Sequence, residues 1–128
     1  MTTPDGDERN HERVDINVDN RANVTIASLD GRLDFEAADT AQVKLRELLG
    51  SASGKALVLD GASLSYVSSA GLRVFLTIAK EAKAAGVAVA VGALQPAVQQ
   101  VFDISGFSKT KIIDIQSTVD DAVRAVTR

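Results

Sequence analysis

Apolar and polar positions divide the chain into alternating strand-like and helix-like segments. "VDINV" (14–18) and "NVTIASL" (23–29) are β-rich runs split by "DNRA", the mark of a hairpin or a paired sheet edge. After "DGRLD", Asp34 stands at an N-cap position. Ala38, Ala41, Leu45 and Leu48 then recur at three- and four-residue steps, predicting a helix that Gly50 and "SASG" end. "KALVLD" (55–60) is continuously apolar, as expected of a strand covered on both faces, and its predicted end is Asp60. From Ser69 to Ala85 a second helix is predicted, with Leu72, Phe75, Leu76, Ala79 and Ala82 on its core face. Arg73, Thr77, Lys80 and Ala84 fall on the other face, and Gly86 closes the helix.

"VAVAVG" (87–92) reads as a second buried strand. "QPAVQQVFDISGF" (95–107) reads as a short helix with Pro96 in its first turn and Gly106 at its end. "KIIDI" (111–115) is a further strand, and "STVDDAVRAVTR" closes the chain as a helix with Ser117 and Asp120 at capping-box spacing. Residues 1–12 combine Pro, Gly and charge without an apolar period and are expected to be a disordered tail. Strands alternating with helices predict an α/β domain over residues 13–128, with a mostly parallel sheet covered by helices and made mixed by the opening hairpin.

Composition removes several function classes. Hydrophobic content of 45% and charged content of 24% are ordinary for a soluble globular protein, and the apolar windows are too short to span a membrane. The polar, acidic start lacks the pattern of a signal peptide, so a cytoplasmic location is expected. The absence of cysteine excludes disulfides and thiolate metal sites. The net charge is −3 and the 14 Lys and Arg residues are scattered, leaving no basic stripe for direct nucleic-acid binding.

The candidate chemistry lies in "LSYVSSAGLRVFL" (64–76), where an apolar segment passes through two serines, an alanine and a glycine into a long helix. A hydrolase would place a nucleophile at such a junction, but Gly-x-Ser-x-Gly is absent and the single histidine, His11, lies in the polar tail. The chain has neither a P-loop nor a dinucleotide fingerprint, and no cofactor is expected. Asp30, Asp34, Asp60 and Asp114 are single carboxylates at different element ends, so no metal site is expected, and Asp34 and Asp60 read as caps. Two readings of the serines remain. Ser68 or Ser69 N-caps the helix, or a small exposed hydroxyl there is phosphorylated by another protein. A phosphate carrying roughly −1.5 to −2 charge would disrupt a docked interface and act as a release switch.

"ALVLDGASLSYVSSAGLRVFL" followed by "AKAAGVAVAVGALQPAVQQVFDISGF" resembles the STAS domain of bacterial anti-sigma factor antagonists, and "LDGRLDFEAADT" is similar to that family's Gly-x-Leu-Asp element. The resemblance spans about residues 14 to 126. It implies a partner-switching protein: the unphosphorylated antagonist binds an anti-sigma factor with serine-kinase activity, phosphorylation ends the complex, and a PP2C-type phosphatase restores it.

The family's acceptor pattern, Asp-Ser-Ser/Thr-Gly-Leu, laid on this chain puts Ser69 at the acceptor. Ser68 falls at the aspartate, Ala70 at the next position and Gly71 at the glycine. Ser68 thereby becomes a competing acceptor. Asp34, Ser68, Ser69, Ala70, Gly71 and Arg73 are the expected partner-binding residues. A free monomer is expected, because the loaded helix faces look committed to the core. An alternative within the resemblance is a STAS subunit that docks on the ATPase of a membrane lipid transporter without phosphorylation.

Overall fold

The computed structural model describes residues 14–21, 23–51, 56–107 and 112–127. The expected tail at 1–12, with His11, lies outside them. The elements follow in the order β1 (Asp15–Arg21), β2 (Val24–Leu33), α1 (Phe35–Ser51), β3 (Ala56–Val67), α2 (Ser69–Ala85), β4 (Ala88–Gly92), α3 (Pro96–Ile104), β5 (Asp114–Gln116) and α4 (Val119–Thr127). The five strands form one sheet in the order β1-β2-β3-β4-β5. β1 and β2 pair antiparallel as the expected hairpin; the remaining pairs are parallel. The predicted mixed, mostly parallel α/β sheet is therefore the fold observed.

Because successive parallel strands add in one direction, right-handed crossovers place α1, α2 and α3 on one face. Ala27, Leu29, Leu57, Leu59 and Val91 meet those helices in the main core, which is centred on Phe75 and Phe102. The alternate positions Val24, Ile26, Ala56, Val58 and Ala90 face the other way, where Val119, Ala122, Val123 and Val126 of α4 cover them. Burial on both faces accounts for the continuous apolar runs of β3 and β4.

Several boundaries differ from expectation for physical reasons. β3 does not stop at Asp60. The register with β2 shifts between Ser28 and Asp30 and again between Gly31 and Arg32, and β3 continues through these irregularities to Val67. Asp60 accepts hydrogen bonds there from the Ala62 amide (2.9 Å) and the Ser28 hydroxyl (3.1 Å). It holds an irregular stretch in place of capping a strand end.

The core stripe of α2 is Gly71, Val74, Phe75, Ile78, Ala79 and Ala82. It is rotated from the expected face because α2 packs on α1 as well as on the sheet, and Leu72 and Leu76 are left half-buried. In α1, Leu49 takes the buried place expected of Leu48, which stays partly exposed. β5 begins at Asp114 and still pairs with β4 at Gln116. The chain therefore turns later than the expected Ser117 cap, and Thr118 caps α4 through the Asp121 amide (3.0 Å).

Candidate functional site

The carboxyl ends of β2 and β3 lie side by side in a parallel pair, so the helices that follow them start at the same end of the sheet. β2 ends at Leu33 and Asp34 caps α1, its carboxylate accepting from the Ala37 amide at 3.0 Å. β3 ends at Val67 and Ser68 caps α2: extended at φ −92°, ψ 176°, it accepts from the Gly71 amide through its hydroxyl at 3.1 Å.

The Leu33 carbonyl ties the two junctions together. It accepts the Ser68 amide at 3.0 Å and the Ser68 hydroxyl at 3.4 Å. A Cβ on Gly71 would collide with that carbonyl oxygen and stand 2.8 Å from Val67 Cγ2. A glycine is needed at this position because the first turn of α2 lies directly on the end of β2.

The two serines therefore differ. Ser68 is half-buried with its hydroxyl engaged in both directions, whereas Ser69, the first residue of α2, is exposed and its hydroxyl has no hydrogen-bond partner among the described residues. Ser69, Leu72, Arg73 and Leu76 line a shallow groove closed on its far side by Ser105, Gly106 and Phe107 beyond α3. On the other flank, Ala70 and Arg73 face Phe35, Glu36 and Asp39 of α1 across a second groove.

Two large apolar side chains that sequence reasoning passed over stand out by their exposure. Phe35 is 80% exposed and Ile104 is 79% exposed. Phe35 starts α1 just past the last residue of β2, where no sheet remains to cover it. Ile104 falls off the Val98–Phe102 stripe of α3, a break in period that the sequence does display. Nearby, Arg32 stacks over the Tyr66 ring at 4.3 Å.

A hydroxyl nucleophile needs a base. Lys80 stands eleven residues along α2 from Ser69, about 16 Å at the helical rise. Of the four single aspartates, Asp34 and Asp60 are engaged as described, Asp30 sits on β2 opposite Asp15, and Asp114 opens β5. No group of three or more potential metal ligands is found among the described residues. No helix among them is long and apolar enough to cross a membrane.

A family model described as "STAS domain" matches residues 15–122. BtrV of Bordetella bronchiseptica, provisionally named an anti-sigma factor antagonist, is 34% identical over 92 residues, 72% of this chain and 78% of BtrV. An anti-sigma factor antagonist from Mycobacterium paratuberculosis superposes with a TM-score of 0.76 at 23% identity, covering 100% of both chains. The Bacillus cell-fate determinant SpoIIAA in its phosphorylated form superposes with a TM-score of 0.63 at 19% identity, covering 88% of this chain and 99% of that one. The two structural likenesses establish a shared fold.

Proposed function

The chain belongs to the STAS domain family, and from that premise we propose that it is an anti-sigma factor antagonist whose capture of its partner is ended by phosphorylation of Ser69. The partner in this reading is an anti-sigma factor with serine-kinase activity. Transfer of the terminal phosphoryl group of ATP forms the Ser69 Oγ–P bond, breaks the bond to ADP and releases the hydroxyl proton. A PP2C-type phosphatase reverses the modification by hydrolysis.

One observation carries the choice of residue: the Ser69 hydroxyl is exposed and without a partner among the described residues, while the Ser68 hydroxyl is held by Gly71 and Leu33. A kinase can approach the first without unfolding the helix start; using the second removes the cap of α2. The names of the relatives support the antagonist role, and the phosphorylated state of SpoIIAA supports the modification.

The surface fits the reading. Phe35, which lines a groove with Ala70 and Arg73, and Ile104, next in sequence to Ser105 of the Ser69 groove, are exposed apolar side chains of the kind that anchors protein interfaces. A phosphate introduced among such contacts meets desolvation and, against an acidic partner, repulsion. The test is to recover the bound anti-sigma factor from the protein's own cells and titrate it against three forms. Ser69→Ala should bind as tightly as the unmodified protein. Ser69→Glu should bind about tenfold more weakly or worse, a loss of roughly 1.4 kcal/mol. Equal affinity for all three forms would refute the switch.

A further inference from the structure

We propose that Arg73 is the internal receiver of a phosphate on Ser69, so that the modified protein carries a phosphate–guanidinium pair along one face of α2. The inference rests on the reading of Ser69 as the modified residue. Ser69 and Arg73 are four residues apart on one helix, which brings their Cβ atoms to about 5–6 Å. The acidic member is N-terminal to the basic one, the more favourable order for such pairs.

The state of Arg73 is the stronger argument. Among the described arginines, Arg21 pairs with Asp120, Arg46 with Glu81 and Arg124 with Asp121, and Arg32 lies over the Tyr66 ring. Arg73 has no ion pair or hydrogen bond among the described residues, although Glu36 and Asp39 line the same groove. Among the described residues it is also the one charged side chain lining the groove that contains Ser69. A planar guanidinium offers a phosphate two parallel donors, a match that the compact charge of a lysine does not reproduce.

The consequence is a switch with two parts. Phosphorylation adds negative charge to the surface and at the same moment occupies the cation beside it. While Ser69 is unmodified, Arg73 is available to a carboxylate of an acidic partner; afterwards it is taken. Release thus involves losing an attraction as well as gaining a repulsion.

Among the described residues, the Ser69 groove holds no charged side chain besides Arg73, and the titratable groups that share a groove with Arg73 are Glu36 and Asp39 on α1, both acidic. They push the second ionisation of a phosphate upward from its usual value of about 6. A downward displacement that depends on residue 73 therefore has its source in the guanidinium. Phosphoserine is placed at position 69 during translation by codon suppression, and its second pKa is followed by phosphorus NMR in this protein and in its Arg73→Gln and Arg73→Lys variants. Arg73 is exposed, so both variants should fold, which circular dichroism checks.

The expected result is a second pKa lower by roughly half a unit or more in the unsubstituted protein than in the Arg73→Gln variant, with the Arg73→Lys variant intermediate. Coincident titration curves for the unsubstituted and Arg73→Gln proteins would overturn the proposal. Because the phosphoserine is installed without a kinase, this result stands apart from partner switching: an absent kinase defeats the proposed function and leaves the titration intact.

Discussion

Ser68 and Ser69 are chemically identical neighbours given different work by one hydrogen-bonding arrangement. Ser68→Ala should destabilise the protein by about 1 kcal/mol, the usual cost of losing an N-cap, and leave the Ser69 hydroxyl, the proposed acceptor, in place. Ser69→Ala should shift stability by less than about 0.5 kcal/mol, as expected of an exposed position without partners. Urea denaturation of the two variants checks the assignment, and a larger loss at Ser69 than at Ser68 would reverse it. Gly71→Ala should cost about 2 kcal/mol despite the better helix propensity of alanine, because its methyl group would press on the Leu33 carbonyl. Side-chain chemistry alone narrowed the candidate site to two serines without separating them, and only the family's acceptor pattern singled out Ser69. The physical difference between them depends on where β3 ends, and the continuation of β3 past Asp60 is held by contacts with β2 that are distant in sequence.

At the scale of elements, the helix starts were legible to within a residue, and so were both ends of β4, whereas β1, β2, β3 and β5 each differed at one end. Ser69–Ala85, with Gly86 in the left-handed region at φ 75°, came directly from periodicity and a glycine stop. For α4, sequence spacing favoured a Ser117–Asp120 box, whereas pairing of β5 up to Gln116 moves the cap to Thr118. Thr118→Ala should therefore lower stability by about 1 kcal/mol, with Ser117→Ala nearly neutral in the same denaturation assay.

The α1–α2 pair carries a bidentate contact from Arg46 to Glu81, with Nε at 2.9 Å and Nη2 at 2.7 Å. Hydrogen bonding from Arg46 lowers the Glu81 pKa, against a smaller opposing effect of desolvation. The folded state consequently binds this proton less readily than the unfolded chain. The stabilisation is present above the unfolded carboxyl pKa and is lost as pH falls through the lowered folded value. Glu81→Gln should flatten the acid side of a Tm-against-pH curve, by a small amount because the pair is exposed; an unchanged acid slope would count against it.

For the whole molecule, alternation of strands and helices was enough to give a mixed, mostly parallel sheet, because apolar runs at strand length and helical stripes admit few other packings. What the pattern showed only in part was which apolar residues the finished core leaves outside. Phe35 looks like a core residue in the sequence and becomes surface only once the sheet end is fixed, whereas Ile104 already stands off the Val98–Phe102 period of α3. The three phenylalanines that do reach the core form two edge-to-face contacts, Phe75–Phe102 and Phe102–Phe107, both with centroids 5.1 Å apart. Phe102 joins them, and Phe102→Ala should cost about 3–5 kcal/mol, a large share of the roughly 5–15 kcal/mol that holds a domain together. A calorimetric melt should show one weakened transition.

The central claim is that Ser69 is the residue through which the protein is switched. Intact-mass spectrometry with site mapping, on protein purified from its own cells with and without phosphatase treatment, tests it most directly. The account predicts a phosphate on Ser69 that phosphatase removes and that Ser69→Ala abolishes. A phosphate confined to Ser68, or none in any growth condition, would contradict it.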